Sequence, residues 1–257
     1  MILAIDMGNS HIETGLMDGE RVLLTERFAT DPRKTATEYA VLLHTVLQIR
    51  SIDLADIEGA ILSSVVPPLT RVLEEAVKKV TGLKTLVVGP GVKNGLKIRI
   101  DDPKTLGADL VVDAVGGIHL YGAPLAVIDM GTATTISVID REGAFRGGAV
   151  MPGVHVSLSA LVSSASLLPN LSLADPGKAI GTNTVDCMRS GIVYGQAAMI
   201  DGMLDRFAGE IGSEIRAVAT GGLAPGIIPF CRHRILLDSE LMLRGLSLIY
   251  DMNRRER

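Results

Sequence analysis

The tetrapeptide Ile-Asp-Met-Gly occurs twice, at Ile5–Gly8 and at Ile128–Gly131, and the copies lie 123 residues apart in a chain of 257. Each copy ends an apolar stretch (ILAID; APLAVID), is followed by small polar residues (Asn9 and Ser10; Thr132, Ala133 and Thr134), and leads into a second β-like stretch. A strand, an Asp-Xaa-Gly turn and a returning strand make a β-hairpin. Its return after nearly half the chain predicts a duplicated α/β protein, with halves at 1–118 and 119–257 that each open with a hairpin.

The residues after each copy support that division. Strands are expected near 1–6, 11–17 and 20–28, the last two joined at Asp18-Gly19, a favoured hairpin dipeptide, so that a three-stranded meander is the simplest assembly. Thr35 and Glu38 have capping-box spacing, and Tyr39, Leu42, Leu43, Val46 and Leu47 fall on one face of the helix that follows. GAILSSVV reads as a strand, Pro67-Pro68 start a helix, and KTLVVG reads as a further strand. GADLVVDAVGGIHLYG reads as a helix, although Gly116-Gly117 inside it costs about 1 kcal/mol per Gly relative to Ala. The second half predicts strands near 124–129, 134–140 and 143–150, helices near 153–165 and 184–209, a strand at RAVATGG and a helix over 239–252.

Composition narrows the function classes. With 47% hydrophobic residues and a formal net charge of −4, the chain is not disordered and carries no overall field for nucleic acid; Arg254, Arg255 and Arg257 read as a solvated tail. Cys187 and Cys231 lack metal-ligand spacing and read as reduced packing residues. His11, His44, His119, His155 and His233 show no metal spacing, and Ser63-Ser64 and Ser163-Ser164 lack a nucleophile elbow. No apolar run reaches membrane-spanning length and no leader pattern precedes MILAID, so a cytoplasmic protein without membrane or nucleic-acid partners is expected.

In both hairpins an Asp ends a strand and a Gly permits a tight turn, so backbone N–H groups and a hydroxyl can approach an anion beside a carboxylate. This combination suits a metal-bound nucleotide phosphate, since Mg²⁺ prefers one or two carboxylates together with waters and phosphate oxygens. Asp6 and Asp129 as plain strand terminators is the alternative for either turn alone. A third glycine turn, ATGGLAP at Ala219–Pro225, follows an apolar strand and suits a nucleoside. The chain has no GxxxxGK[ST] and no GxGxxG after its first strand, which leaves phosphoryl transfer without a P-loop.

These motifs resemble the actin, sugar-kinase and Hsp70 superfamily, whose two ribonuclease H-like halves, each a mixed sheet with a hairpin meander flanked by helices, clamp ATP. DMGNSHIETGL, LGADLVVDAV, IDMGTATTISVID, GGAVMPG, IGTNTVDCMRSGIVYG, ATGGLAP and DSELMLRGL follow one another, from Ile2 to about Leu246, in the order and approximate spacing of type III pantothenate kinase. The resemblance implies transfer of the γ-phosphoryl of ATP to pantothenate, the first step towards coenzyme A, with Asp109 as general base. It implies that Asp6, Met7, Gly8, Asn9, Ser10, His11, Ile12 and Glu13 form an ATP-binding hairpin, with Asp6 reaching Mg²⁺ through phosphate, and that Thr132 contacts ATP. It further implies Asp129 as ligand of a monovalent cation, K⁺ or NH₄⁺, and Gly107, Ala108, Asp109, Leu110 and Thr184 as the pantothenate site. Thr184 also reads as the N-cap of the helix after it. A homodimer is implied, and the apolar stretch GIVYGQAAMIDGML is a candidate interface helix as well as ordinary core.

Two positions depart from the family. Many members have Arg where this chain has Leu110, and Tyr where it has Ile100, so the partner of the pantothenate carboxylate is open; Arg99 and Lys104 are the nearest cations in sequence. A kinase for another alcohol or sugar, and a non-catalytic accessory factor in transcription, are the alternatives. Intact Asp6, Asp109 and Asp129 disfavour the second.

Overall fold

The computed structural model describes residues 1–254. In chain order its elements are strands β1 (Ile2–Met7), β2 (His11–Asp18) and β3 (Arg21–Ala29), helix α1 (Ala36–Ile49), strand β4 (Gly59–Ser64), helix α2 (Pro67–Thr81), strands β5 (Thr85–Val87) and β6 (Lys97–Ile98), and helix α3 (Ala108–Tyr121). Then come β7 (Leu125–Met130), β8 (Ala133–Ile139), β9 (Ala144–Pro152), α4 (Val154–Ser164), α5 (Thr184–Ile211), β10 (Arg216–Thr220), α6 (Ala224–Ile227), β11 (Ile235–Leu237) and α7 (Leu241–Arg254). They form two compact units that interleave along the chain. The first comprises Met1–Leu96, Asp101–Gly116 and 240–254 of the described residues; the second comprises Lys97–Ile100 and Gly117–Ser239. The strand repeat follows a division near residue 118, but packing does not: α7, late in the chain, belongs to the first unit.

The first unit is a five-stranded sheet in the order β3-β2-β1-β4-β5, antiparallel through the meander and parallel from β1 to β5. Alternation splits β1 between two cores. Leu3, Ile5 and Met7 join Tyr39, Leu43 and Leu47 of α1 and Leu69 and Leu73 of α2; Ile2 and Ala4 join Val111, Val112 and Val115 of α3 and Leu243, Leu246 and Ile249 of α7. Burying each such aliphatic side chain stabilises the unit by about 1.5–3 kcal/mol. The capping box forms as expected, with Glu38 N–H donating to Thr35 Oγ1 at 3.4 Å and Thr35 N–H to Glu38 Oε2 at 2.8 Å. The Gly116 that weakened the helix reading has a packing reason. A β-carbon there would lie 2.9 Å from Leu241 O and 3.2 Å from Gly245 Cα, so α3 and α7 meet backbone to backbone.

The second unit repeats the plan. Its sheet order is β11-β10-β7-β8-β9-β6, in which β9-β8-β7-β10-β11 corresponds strand for strand to β3-β2-β1-β4-β5. Ala126, Ile128 and Met130 of β7 pack with Val154 and Leu158 of α4 and with Met188, Ile192, Val193, Ala197, Ile200 and Leu204 of α5. The apolar positions of the GIVYGQAAMIDGML stretch thus serve the core of their own unit, while Gly191, Gly195 and Ala198 lie on its exposed side. Cys231 is half-buried, and burial, with the Asp201 carboxylate behind it, pushes its thiol up to about 12. Cys187 is exposed, so the packing role expected of both cysteines holds only for Cys231. Of the basic tail, Arg254 pairs with Glu58 through two hydrogen bonds of 2.9 and 3.1 Å; Arg255 and Arg257 lie outside the described residues. Among the described residues no helix is long and apolar enough to cross a membrane.

Candidate active site

In the first unit Asp6 is the penultimate residue of β1. The parity that sends Met7 into the α1/α2 core sends Asp6 to the α3/α7 face, half-buried. The turn after it is closed by Gly8 N–H donating to His11 O at 2.9 Å. Thr30 braces it, its hydroxyl donating to Gly8 O at 2.7 Å and its N–H to Ser10 O at 3.0 Å. Asn9, Ser10 and His11 are exposed, whereas Met7 and Ile12 are fully buried in the core. Within the segment 6–13, Met7 and Ile12 therefore have only backbone to offer a ligand.

Strand register brings further polar residues beside Asp6. Ser63 of β4 is its partner on one side and Glu13 of β2 on the other, and Arg27 of β3 is the partner of Glu13. Partners across a ladder project to the same face, so a row Ser63, Asp6, Glu13, Arg27 crosses four strands. Burial pushes the Glu13 carboxyl up from its ordinary value and Arg27, whose Nε lies 3.6 Å from Glu13 Oε2, pulls it down, with burial the stronger. Ser63 is fully buried and its hydroxyl has no hydrogen-bond partner.

Asp109 is the second residue of α3. Leu110 N–H donates to its Oδ1 at 2.8 Å, and a β-carbon at Gly107 would collide with that same oxygen. Gly107 thus leaves the room in which the carboxylate folds back over the helix start. Burial raises the Asp109 pKa above the ordinary 3.8, outweighing the hydrogen bonds from the Leu110 and Asp109 backbone. Asp113, one turn along the same helix face, is a second carboxylate and, at 1% exposed, the more deeply buried of the two; nothing in the sequence analysis singled it out. The four-residue spacing from Asp109 was the available signal. Ser63 had none, because its place beside Asp6 depends on the pairing of β1 with β4.

In the second unit Asp129 occupies the corresponding place on β7, and its ladder partners are Thr135 of β8 and Thr220 of β10. The Thr135 hydroxyl is buried with no hydrogen-bond partner. Gly131 N–H closes the turn on Ala133 O at 3.0 Å, and Thr132 is exposed. The glycine turn after β10 packs on this Asp: Gly221 has φ +89°, and a β-carbon there would lie 2.6 Å from Asp129 Oδ1 and 2.7 Å from Met130 N. A β-carbon at Gly153, the N-cap of α4, would collide with Thr132 O. Two glycines therefore let backbone close around the second hairpin.

Thr184 opens α5, but it is not the cap. Asn183 fills that place, accepting from Asp186 N–H at 3.0 Å, and leaves the exposed Thr184 hydroxyl outside the cap. Arg99 does not stand ready for a substrate carboxylate. Its guanidinium donates to Glu142 Oε2 at 2.5 Å and lies 3.6 Å from Asp140, which ties the end of β6 to the turn between β8 and β9 in the second unit. Lys104 is exposed on a 3₁₀ turn capped by Asp102. Among the described residues no three His, Cys, Asp or Glu side chains form a metal cluster.

A family model for type III pantothenate kinase matches residues 2–206. The type III pantothenate kinase of Moorella thermoacetica is 42% identical over 253 residues, covering 98% of this chain and 100% of its own length. That of Geobacter sulfurreducens is 41% identical over 254 residues, covering 99% and 100%. Among solved structures, a conserved protein of the Baf transcriptional-activator family from Campylobacter jejuni aligns with TM-score 0.63 at 18% identity, over 99% of this chain and 100% of its own. Component A of (R)-2-hydroxyglutaryl-CoA dehydratase from Acidaminococcus fermentans aligns with TM-score 0.59 at 15% identity, over 100% and 99%. At these identities the structural likenesses speak for the fold alone, the duplicated ribonuclease H-like plan. Sequence kinship over the whole length speaks for more, and by it the chain belongs to the type III pantothenate kinase family.

Proposed function

We propose that this protein phosphorylates pantothenate with ATP, giving 4′-phosphopantothenate for coenzyme A synthesis, and that Asp109 is the general base. The observation that carries the reading is the Asp109 carboxylate, half-buried at a helix start over a glycine that leaves room for it, in a chain akin to named pantothenate kinases along its whole length. Asp109 takes the proton of the substrate's primary hydroxyl as the hydroxyl oxygen bonds to the γ-phosphorus. The bond from that phosphorus to the β,γ-bridging oxygen breaks, and its electron pair leaves with ADP. The transition state is loose, so positioning and charge neutralisation supply most of the acceleration. A raised pKa makes Asp109 a stronger base than an ordinary aspartate.

Asp6 and the turn Gly8–His11 receive the phosphates, with Mg²⁺ reached from Asp6. The orphaned Ser63 hydroxyl beside Asp6 fits an oxygen-seeking cation. When bound, that ion supplies neutralisation of charge on the phosphate oxygens. Thr132 contacts ATP. Asp129, between the hydroxyl-bearing Thr135 and Thr220, receives K⁺ or NH₄⁺, whose preference for neutral oxygens the unpartnered Thr135 hydroxyl suits. Gly107–Leu110 and Thr184 hold pantothenate. A homodimer accords with the large apolar side chains that the second unit leaves exposed, Val150 at 75%, Leu167 at 92% and Ile180 at 82%. A cytoplasmic location is part of the same reading.

The test is purified protein with ATP, Mg²⁺ and K⁺ against a panel of alcohols and sugars that includes pantothenate. Pantothenate should be the preferred acceptor; a preferred sugar would overturn the substrate. Asp109→Asn should fold with an unchanged melting temperature and lose about 10²–10⁴-fold in kcat. In the wild type, activity should fall on acidification through a pKa above the ordinary 3.8 of an aspartate, because protonation removes the base. Near-normal turnover by Asp109→Asn would sink the assignment.

A further inference from the structure

We propose that Glu13 is a second carboxylate of the divalent-cation site at Asp6, with the Ser63 hydroxyl as a third oxygen. The proposal rests on the phosphoryl-transfer reading of the Asp6 hairpin and adds to it the residues that select and hold the ion. Asp6 and Glu13 are direct partners across β1 and β2, with side chains on one face. Two like charges so placed destabilise a sheet, and the arrangement becomes favourable when a hard cation lies between them. The second observation is independent of the acids. Ser63, directly opposite Asp6 on the other neighbouring strand and on the same face, is 0% exposed, and its hydroxyl has no hydrogen-bond partner. A buried hydroxyl left unsatisfied in the protein is a place for an oxygen-seeking ligand. Two carboxylates and a hydroxyl in one row are a hard, oxygen-only donor set of the kind that Mg²⁺ and Mn²⁺ take, with waters and phosphate oxygens completing the shell.

Arg27 gives the proposal its sign. Its guanidinium lies 3.6 Å from Glu13 Oε2 and is roughly half exposed, on the edge strand β3. It holds the charge of Glu13 while no metal is present and competes with the metal for that carboxylate. Removing the competitor should therefore tighten metal binding, whereas removing the ligand should weaken it. A pair that only fastened β2 to β3 would give the same sign for both changes.

The experiment is Mn²⁺ binding followed by electron paramagnetic resonance in protein saturated with ADP, with no pantothenate present, so that its outcome is independent of the acceptor substrate. Glu13→Gln should weaken Mn²⁺ at least ~10-fold and Ser63→Ala less, whereas Arg27→Ala should bind as tightly as the wild type or a few-fold tighter. Should Glu13→Gln fail to fold, as judged by its melting curve, Glu13→Asp decides: it keeps the charge, withdraws it by one methylene and should weaken Mn²⁺. Wild-type Mn²⁺ affinity in the folded Glu13 variant, or Arg27→Ala weakening Mn²⁺ as much as the Glu13 change, would overturn the proposal. A protein that shows the Glu13 dependence but phosphorylates another alcohol would overturn only the pantothenate reading.

Discussion

The two hairpins that carry the repeated tetrapeptide share a scaffold and differ in what surrounds the carboxylate. Asp6 and Asp129 occupy equivalent places in equivalent strand orders, and each has a hydroxyl residue opposite on the parallel neighbour, Ser63 or Thr220. Even the exit is alike: Val65 N–H donates to Met7 O at 3.1 Å, and Leu223 N–H to Met130 O at 3.3 Å. Across the hairpin they part. Asp6 faces a second acid, Glu13, and Asp129 faces a neutral hydroxyl residue, Thr135. The exits also diverge in what they serve. Pro67 and Pro68 launch a helix of 15 residues in the first unit, whereas in the second a glycine with φ +89° lies against the carboxylate and the helix after it has 4 residues. One backbone plan thus sets a second acid beside the carboxylate in the first unit and hydroxyl residues beside it in the second, and the change is made by side chains one ladder step away.

The sharpest break of this pairing is the isosteric removal of each charge. Asp6→Asn should cost about 10²–10³-fold in kcat at any K⁺ concentration, the scale of losing one preorganised electrostatic contact. Asp129→Asn should cost less at saturating Mg²⁺ and abolish the rise in activity proposed for K⁺ over Na⁺. Steady-state assays at several K⁺ concentrations check both; retention of the K⁺ response by Asp129→Asn would separate that hairpin from the cation. A smaller effect comes from the glycines. Gly221→Ala forces a side chain into the left-handed region and against Asp129, and should cost about 1–3 kcal/mol in denaturant unfolding. Gly8→Ala should cost less, since its β-carbon would meet only His11 O at 3.3 Å. Equal costs would mean that the two turns are equally crowded.

The smallest effect tests the far ends of the meanders. In the second unit Asp140 is nearly buried and accepts from Ala144 N–H and Glu142 N–H, both at 2.9 Å. Burial pushes its pKa up, but those bonds with Arg146 and Arg99 outweigh it and hold the carboxyl below its usual range. A depressed folded pKa means that this stabilisation is complete above the unfolded aspartate value and is lost as pH falls through the folded one. Asp140→Asn should lower Tm at neutral pH by about 2–4 °C, with the difference from wild type shrinking at low pH. Asp18→Asn, at the exposed turn of the first unit, should leave Tm unchanged, as scanning calorimetry across pH can measure.

Much of this was legible in the residues. The duplicated Asp-Met-Gly, the Asp18-Gly19 turn, the Thr35/Glu38 box and Pro67-Pro68 each act over a few residues, and each formed where expected. Strands β6 and β11, two and three residues long, are too short to show any alternation. The assignment of α7 to the first unit depends on contacts with β1, β2 and β4, more than 170 residues away, which no local pattern reports. Among the candidate residues, Asp6 and Asp129 were readable because turn chemistry marks them, and Asp109 only through the resemblance of its motif to the family. Ser63, and the pairing of Glu13 with Asp6 and Arg27, were not, because a side chain's neighbours on a sheet are set by register, and register is a property of strand pairs.

The place of α7 has a consequence for how the molecule is made. Leu243, Leu246 and Ile249 close one face of the first sheet and are fully buried there. On the ribosome that face stays open while the whole second unit is synthesised, on the order of 10 s at ordinary elongation rates. The first half to emerge is then the last to be completed, and a nascent chain arrested before residue 241 should expose an apolar sheet face to chaperones however well its later half has folded.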